Sequence, residues 1–397
     1  MNRHAILALL VPLSIITFLD RICISVAGPR MQSELGLSPE RWGWVTGAFV
    51  LSYGLFEIPT GVMGDRWGQR KVLARIVGWW SAFTALTGAM SSFLPLVITR
   101  FLFGMGEAGA FPNMAGVVAR WFPRNEHARA QGFIWGASRA GGAIAPLLVV
   151  PIQQAFGWRA AFWIFGAVGV VWCAVWLAIY RDKTSERPAN SHSVDWSMAL
   201  RNRQLWIILG MYSCQAWASW FYFSWMHTFL VKGRGFSEGQ MAAASALPFL
   251  LSAAATVGGG FLSEIACRRF GSNRGRVLIG TCALSASAAM LAATALTTGK
   301  IAVVVFLACG FGVLDVMLPS AWSLCIELGG EHAGAATGAM NSAGQLGGFL
   351  CTVIFGYLVT ALESYDKPLF AIVTMLLIGS FLFSRIDVSK PLLGASR

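Results

Sequence analysis

The feature that most constrains this chain is a series of apolar segments, each about 20 residues long, that recurs along its whole length. A helix of about 20 apolar residues is long enough to cross the hydrocarbon core of a bilayer. Only 12% of the residues are charged and 56% are hydrophobic, whereas a soluble domain carries roughly 25% charged residues. These values exclude a soluble enzyme, a disordered protein and a nucleic-acid-binding protein, and they predict an all-α polytopic membrane protein.

Turn residues and charge clusters divide the apolar sequence into twelve segments. They are residues 5–28, 42–64, 71–91, 94–119, 129–155, 159–180, 204–231, 241–264, 276–298, 299–326, 332–361 and 368–386. The first segment begins like a signal peptide, but no small-residue cleavage site follows, and the run continues into Asp20 and Arg21. The pattern therefore predicts twelve transmembrane helices, with the first one retained.

Lysine and arginine are unevenly distributed between alternate loops. When the N-terminus is placed in the cytoplasm, 20 of the 30 lysines and arginines fall in cytoplasmic segments and 7 in outer loops. Cytoplasmic loops of membrane proteins carry such an excess, so both termini are predicted to be cytoplasmic. The same bias explains the net charge of +12 without nucleic acid. The cysteines lack the spacing of a metal site, and we expect neither metal nor cofactor.

The two halves of the chain share a sequence pattern. Gly61 and Asp65 precede a basic run, and Gly260 and Glu264 precede another one 199 residues later. A Glu-His-Ala triplet that starts at residue 126 recurs at residue 331. The chain is therefore predicted to be an internal repeat of six spans.

This repeat defines the expected domain organisation. A six-helix bundle at 1–188, a cytoplasmic linker at 189–203 and a pseudo-symmetric six-helix bundle at 204–397 make up the predicted architecture. Internal repeats of this kind are the signature of secondary transporters, with the substrate site between the repeats.

Charged residues inside the predicted spans are concentrated in the first half. A charge near the bilayer centre costs about 3 kcal/mol or more, so it usually faces a cavity and serves a function. The first half contains Asp20, Arg21, Glu57, Arg100, Glu107 and Arg139. The second half has one central acid, Asp315, and offers mainly polar and aromatic side chains: Tyr222, Trp225, His227, Ser320, Trp322, Asn341 and Gln345.

The axial positions of these charges predict a site for an organic anion. At a rise of about 1.5 Å per residue, Arg21 and Arg100 lie at a similar depth below the outer surface. Two guanidinium groups at one level can hold a carboxylate through paired hydrogen bonds. Glu107 lies about two turns deeper than Arg100 on the same helix face, near the predicted level of Arg139.

Acidic residues beside these arginines predict proton coupling. Burial disfavours the ionised form of Asp20 and Glu107, whereas the neighbouring arginines favour it. A carboxylate held between these influences can bind and release a proton during a transport cycle, and its protonation frees an arginine for the substrate. Glu57 is a third candidate, and it shares a helix face with Tyr53 because the two are four residues apart.

The segment Gly61–Lys71 resembles the signature loop of the major facilitator superfamily, and the span count and linker position fit as well. Asp20-Arg21 in the first span, with Arg100 and Glu107 in the fourth, resemble the anion:cation symporter family. That family includes bacterial sugar-acid transporters and vesicular glutamate transporters. The resemblance implies that Asp20 and Glu107 couple protons and that Arg21 and Arg100 bind the substrate carboxylate.

Further residues are assigned by the same resemblance. Tyr53 and Asn341 resemble substrate-contacting positions, and Tyr222 begins an aromatic stretch similar to that of the family's seventh span. Together with polar and aromatic residues of the spans, the predicted substrate-binding set is Arg21, Arg100, Tyr53, Arg139, Tyr222, Trp322, Asn341 and Gln345. The signature loop implies a cytoplasmic gate made of Gly61, Asp65, Arg66, Arg70 and Lys71.

Four positions depart from the sugar-acid pattern. Phe18 stands where a tyrosine is expected, His227 where a proline is common, and Glu57 where a neutral residue is expected. Arg139 adds a third cation. These departures favour a less hydroxylated or a doubly charged anion over a simple sugar acid.

Several assignments have structural alternatives. Arg21 and Arg100 would also be explained by ion pairs with Asp20 or Glu107, since buried charges need partners. Glu107 would also be explained by a permanent ion pair with Arg139.

Other residues are expected to be structural. Asp315 is interpreted as a hydrogen-bonded acid, and His227 as a residue near the outer mouth. Gly104, Gly106 and Gly109 resemble a nucleotide-binding loop only superficially, because they lie in an apolar helix without a preceding strand. Close helix packing explains them better.

The sequence as a whole predicts a proton-coupled importer of a small organic carboxylate that works by alternating access. We expect a monomer in the inner membrane of a bacterium, with the anion, protons and lipid as its partners and with no enzymatic activity. An organic-anion exchanger or uniporter, a drug-type exporter of the same fold, and a membrane anion sensor that does not transport are the alternatives.

Overall fold

The computed structural model describes residues 3–123, 126–182, 200–329 and 333–387, and all regular secondary structure in these ranges is helical. The helices are α1 (Arg3–Glu34), α2 (Pro39–Trp67), α3 (Gln69–Ala89), α4 (Phe93–Glu107), α5 (Ala110–Trp121), α6 (His127–Phe156), α7 (Trp158–Ile179), α8 (Arg203–Ser224), α9 (Met226–Thr228), α10 (Glu238–Phe270), α11 (Ser272–Leu296), α12 (Lys300–Val316), α13 (Leu318–Gly329), α14 (Ala333–Leu362) and α15 (Leu369–Ser384). A π-helical turn, Phe229–Gly233, follows α9 directly.

Two single-residue junctions occupy equivalent places in the two halves of the chain. Gly68 separates α2 from α3, and Gly271 separates α10 from α11. Gly68 has a φ of 88° and a ψ of 144°, and Gly271 has 85° and 151°. This backbone region is essentially restricted to glycine and costs another residue about 1–3 kcal/mol. Each glycine therefore lets one long helix turn directly into the next.

Eight helical stretches are long and apolar enough to cross a membrane by length and composition, among the described residues. Two of them each comprise a pair of consecutive helices, α4–α5 and α12–α13. The helices α2, α3 and α8 are not among the eight, because polar and charged side chains lower their mean hydropathy. The structure thus supports an all-α membrane protein, and the full count of twelve spans stays a prediction.

The chain divides into two compact units. The first contains Met1–Arg187 together with Phe223–Ala246, and the second contains Pro188–Tyr222 together with Leu247–Arg397. The prediction placed residues 223–246 in the second bundle, whereas this division places them in the first unit, because the segment contacts α1. The predicted linker at 189–203 lies outside the described residues except for its last four positions.

Each unit is held together by long helices packed side by side. In the first unit, α1 packs against α6 and α7, α3 against α7, and α2 against α4. In the second unit, α11 packs against α15 and α12, and α13 packs against α14. Since α1 contacts several neighbours and is largely buried, its charged residues lie inside the first unit.

Candidate functional site

An ion pair between α1 and α4 lies at the centre of the candidate site. Arg21 donates hydrogen bonds from Nη2 and Nε to the Oε1 atom of Glu107, at 2.5 Å and 3.2 Å. The two side chains are only 9% and 1% exposed. The Oε2 atom of Glu107 has no hydrogen-bond partner among the described residues. Protonation of Glu107 would remove the charge that holds Arg21, so the pair can exchange a proton for another anion.

This geometry distinguishes between two interpretations of Glu107. The predicted depth of Glu107 along its span is also compatible with an ion pair to Arg139. In the structure, Glu107 forms its ion pair with Arg21. Position along a helix axis does not fix which neighbour a side chain reaches, because rotation about the axis also decides the contact.

Aromatic rings surround the guanidinium group of Arg21. Its central carbon lies 5.1 Å from the ring centroid of Phe18, 5.2 Å from that of Phe49 and 4.8 Å from that of Tyr53. Cation–π attraction at such distances contributes about 1–2 kcal/mol when water is excluded. Glu57, one turn after Tyr53 on α2, is half-buried and interacts electrostatically with the Tyr53 hydroxyl group.

Arg100 is more deeply buried than Arg21. It is 1% exposed, and its guanidinium carbon lies 4.2 Å from the ring of Phe103 and 5.2 Å from the ring of Phe49. Its Nε atom makes no hydrogen bond to any described residue. The predicted carboxylate clamp of Arg21 and Arg100 is therefore closed off by aromatic side chains, and an anion reaches it only after these rings or the ion pair move.

Asp20 brings a second carboxylate into the same core. It is 1% exposed, and neither of its carboxylate oxygens has a hydrogen-bond partner among the described residues. Its electrostatic neighbours are Glu107 and Arg100, and the indole of Trp80 lies nearby. A buried carboxylate beside another carboxylate cannot remain ionised at low cost, so the geometry favours Asp20 as a proton acceptor.

Arg139 is more accessible than Arg21 and Arg100. It is half-buried on α6, and its guanidinium carbon lies 5.9 Å from the ring of Phe18 and 5.7 Å from the ring of Phe223. The Phe18 ring therefore contacts the cations of both Arg21 and Arg139. This shared neighbour was not anticipated, although the phenylalanine itself stood out as a departure from the sugar-acid pattern.

The fourth predicted span is interrupted immediately after Glu107. Helix α4 ends at that residue, and Gly109, with a φ of +84°, precedes α5. The Asn113 side chain donates hydrogen bonds to the carbonyls of Gly109 at 2.7 Å and Thr60 at 3.2 Å. The sequence predicted a continuous helix here, which is wrong.

Two glycines of α4 pack closely against neighbouring helices, as predicted. A Cβ atom at Gly104 would overlap Ser52 and the backbone of Phe49, and one at Gly106 would overlap the ring of Trp79. These contacts explain the glycine-rich sequence by helix packing rather than by nucleotide binding.

The signature loop joins α2 and α3 to two other helices of the first unit. The Arg70 side chain donates a hydrogen bond to the carbonyl of Leu177 in the last turn of α7, where a cation is favoured by the helix dipole. The backbone N–H of Arg70 donates to Asp182 at 3.1 Å. Gly64 allows α2 to approach Asn113 of α5 without overlap. The loop thus connects four helices, α2, α3, α5 and α7.

The other residues predicted for the gate are less constrained. Arg66 and Lys71 are exposed, and Gly61 faces Pro112 of α5. The side chain of Asp65 lies outside what the structure describes. Gating by this loop stays a prediction.

Two aromatic candidates lie in the second unit. Tyr222 is fully buried, donates a hydrogen bond to the carbonyl of Leu307 at 2.9 Å and stacks on Phe311 at 4.3 Å. Trp322 donates its indole N–H to the hydroxyl of Tyr212 at 3.2 Å. The hydroxyl of Tyr222 is thus already hydrogen-bonded to the backbone. This contact favours a structural role for Tyr222 more strongly than for Trp322.

The remaining polar candidates of the second unit differ in exposure. Asn341 and Gln345 are both half-buried on α14, one turn apart. Asp315 is fully buried and accepts a hydrogen bond from the hydroxyl of Ser252. Its environment agrees with the hydrogen-bonded structural acid that the sequence predicts.

His227 belongs to a polar contact between α1 and the segment 223–246 of the first unit. Its Nδ1 atom lies 2.8 Å from the hydroxyl of Ser25. Nearby, Gln32 donates to the hydroxyl of Thr228 at 3.0 Å and accepts from Lys232 at 3.3 Å. Ser25 and Gln32 were not singled out from the sequence, since a lone serine or glutamine in a span carries no pattern of its own.

Comparison with known proteins identifies the family. Residues 10–352 match the family model described as Major Facilitator Superfamily. The chain belongs to the major facilitator superfamily. The predicted superfamily resemblance is therefore confirmed, and the chain is a multi-pass membrane transporter by fold.

Relatives within the superfamily are named as anion transporters. The chain is 32% identical to the probable sulfoacetate transporter SauU of Cupriavidus necator, covering 98% of this chain and 96% of that protein. It is 28% identical to the probable galactarate/D-glucarate transporter GudP of Bacillus subtilis, over 92% of this chain and 88% of that one. It is 25% identical to the hexuronate transporter of Bacillus subtilis, over 87% and 85%. These relatives confirm the resemblance to organic-anion transporters.

A solved structure shares the fold of the whole chain. A bacterial homologue of the human lysosomal transporter Spinster superposes with a TM-score of 0.86 at 20% sequence identity. The superposition covers 100% of this chain and 99% of the other. The two chains therefore share the same all-helical fold.

Proposed function

We propose that this transporter imports a small organic anion together with protons, by alternating access across a bacterial inner membrane with both termini in the cytoplasm. The buried Arg21–Glu107 pair is the observation that carries the proposal. Removing either partner of such a pair would leave an isolated charge in the core, so the pair is broken at low cost only when a proton and an anion arrive together. The names of the relatives support an anion as the substrate.

The proposed cycle begins with protonation of Glu107. The neutral carboxyl group no longer holds Arg21, whose fork of N–H donors then binds the substrate carboxylate. Arg100, beside the same acid, adds positive charge to the opened site. After the site opens to the other side, loss of the proton restores the Arg21–Glu107 pair and expels the anion.

Asp20 supplies a second proton-binding group in this scheme. Its carboxylate interacts electrostatically with that of Glu107 and with Arg100. When both acids are ionised, they repel each other, and a proton on Asp20 relieves that repulsion. Asp20 therefore sets how many protons accompany each anion.

Sulfoacetate is the first compound to test as a substrate. The relative of this name is 32% identical and aligned over nearly all of both chains. Sulfoacetate has no hydroxyl groups and carries two acidic groups, which agrees with the departures at Phe18 and Arg139 from the sugar-acid pattern.

The test of the proposed function is uptake into proteoliposomes with and without an inward proton gradient. We expect the gradient to raise sulfoacetate accumulation at least tenfold in the wild-type protein. Glu107→Gln mimics the permanently protonated acid, so it should abolish the response to the gradient while anion exchange at equal pH continues.

Glu363→Gln is the matched control, because the same substitution then falls on an exposed loop residue. It should behave like the wild type. Gradient-driven accumulation by Glu107→Gln at the wild-type level would contradict proton coupling through this residue.

A further inference from the structure

We propose that the first unit binds ordered water in a polar pocket between α1, α3 and α7, and that a proton reaches Asp20 through this water. The inference rests on the proposed function, because it assigns a route to a proton that the transport cycle uses. Helix α7 packs against both α1 and α3. The residues around the pocket are Asp20 on α1, Trp80, Ser81 and Thr84 on α3, and Gly169 on α7.

Buried polar atoms without a partner mark this pocket. The side chains of Trp80, Ser81 and Thr84 are 0%, 1% and 1% exposed. The indole nitrogen of Trp80 and the two hydroxyl oxygens have no hydrogen-bond partner among the described residues, and neither do the carboxylate oxygens of Asp20. Buried polar groups are nearly always hydrogen-bonded to protein or to ordered water, so these atoms indicate bound water.

Helix α3 itself does not satisfy the two hydroxyl groups. A serine or threonine within a helix commonly donates to a carbonyl three or four residues earlier. Thr87 does so, with the carbonyl of Phe83 at 2.7 Å. Ser81 and Thr84 make no such bond within the described part of the chain, which leaves both hydroxyl groups available to water.

Gly169 shows that two of these atoms are within reach of one water molecule. A Cβ atom at this position would overlap the hydroxyl of Ser81 and lie 3.7 Å from the indole nitrogen of Trp80. The hydroxyl oxygen and the indole nitrogen are therefore at most about 6 Å apart. Since a hydrogen bond is about 2.9 Å long, one water molecule can bond both atoms across such a gap.

Trp80 connects this position to Asp20. Its indole interacts with the Asp20 carboxylate, but no direct hydrogen bond joins the two groups. Water that bonds Asp20, Trp80 and Ser81 has the two to four polar partners typical of a buried water molecule. Thr84 lies one turn after Trp80 on the same face of α3, about 6 Å further along the helix axis, and extends the polar surface toward the end of the helix at Ala89.

The pocket gives Asp20 a route to a proton. An incoming proton binds the oxygen of the water, and the water then releases one of its own protons to a carboxylate oxygen of Asp20, so that the water molecule is regenerated. The hydroxyl groups of Ser81 and Thr84 both accept and donate, so each can take up one proton and release another. The indole of Trp80 only donates, and it therefore positions the water without carrying the proton.

A high-resolution structure tests the water site without any transport measurement. Cryo-electron microscopy of the wild-type protein, at a resolution that shows ordered water elsewhere in the core, should show water within hydrogen-bond distance of the Trp80 indole and the Ser81 hydroxyl. In Gly169→Ala, the added methyl group should displace it. A wild-type map without water at this position would overturn the inference.

The proton route is tested by sulfoacetate uptake into proteoliposomes. Gly169→Ala and Thr84→Val should each lower the initial rate of uptake driven by an inward proton gradient at least tenfold, because the first fills the pocket and the second removes a hydroxyl group. Sulfoacetate exchange at equal pH on both sides needs no net proton movement. It should stay within about threefold of the wild type, which an unfolded protein would not show.

Two variants serve as matched controls. Thr87→Val removes a hydroxyl group that is already bonded to the backbone, and Gly78→Ala adds a Cβ atom with no other atom within 4 Å. Both should behave like the wild type.

Gradient-driven uptake at the wild-type rate in Gly169→Ala and Thr84→Val would overturn the route. An equal fall of uptake and exchange in Thr84→Val would overturn it as well. If the gradient does not drive uptake in the wild type, the proposed function itself fails, and the map still decides whether the pocket binds water.

Discussion

Arg21 and Glu107 depend on each other for their stability in the core. Both are at least nine-tenths buried, and each provides the charge that compensates the other. Removal of one partner of such a pair typically destabilises a protein by about 3–5 kcal/mol, because the other charge remains buried and unpaired. Substitutions at Arg21 and Glu107, made singly and together, therefore show from their effects on stability whether the pair exists in the resting protein.

Arg21→Met should lower the thermal stability strongly, since it leaves the Glu107 carboxylate without its cation. The double variant Arg21→Met/Glu107→Gln should be more stable than Arg21→Met alone, because no charge of the pair remains. Thermal unfolding in detergent checks both. If the effects of the two substitutions simply add, the two residues do not interact in the resting state.

The sequence singled out the charged residues of the spans, but it did not decide which arginine pairs with Glu107. The rarity of charges in apolar spans was enough to select Arg21, Arg100, Glu107 and Asp20, and all four lie in one buried region. Depth along the spans left the partner of Glu107 open between Arg21 and Arg139. That choice depends on the rotation and packing of three helices, which no local pattern in the sequence encodes.

At the scale of helices, the interruption at Gly109 shapes the site. It ends α4 at Glu107, so the acid lies where the partial charge of the helix end is negative and a cation such as Arg21 is favoured. The interruption needs a glycine for two reasons. The φ of +84° is strained for other residues, and a Cβ atom would overlap Thr60.

Gly109→Ala should therefore destabilise the protein and reduce transport at least tenfold. Gly36→Ala is a matched control, because Gly36 has a φ of +60° but no atom within 4 Å of the added Cβ. It should cost only the backbone strain, about 1–2 kcal/mol, and retain transport. An equal loss of stability and transport in both variants would show that backbone strain alone is responsible and that the overlap with Thr60 has no effect.

Helix boundaries were predicted well where turn residues are dense and less well inside spans. The junctions at Gly68 and Gly271 lie among charged residues, which mark the ends of apolar segments in the sequence. The interruptions within the fourth and tenth predicted spans were missed, because short apolar stretches on both sides keep the hydropathy high. An interrupted helix is stabilised by tertiary contacts, such as the hydrogen bonds of Asn113, rather than by local propensity.

At the scale of the whole molecule, the two halves share a repeat but divide the chemistry unequally. Both have a helix junction at a glycine with a positive φ, whereas the buried Arg21–Glu107 pair belongs to the first unit. The second unit contributes the buried acid Asp315, whose hydrogen bond comes from Ser252. Membership of the major facilitator superfamily explains the repeat, and the asymmetry explains why substitutions in the first unit are expected to affect coupling most.

Joint transport of an anion and protons is tested by recording both fluxes at once. Purified protein is reconstituted into vesicles that contain a pH-sensitive dye, and sulfoacetate is added outside without any imposed gradient. The vesicle interior should acidify as the anion enters, and vesicles with Glu107→Gln should show no acidification. Anion entry without proton movement in the wild-type protein would contradict proton coupling.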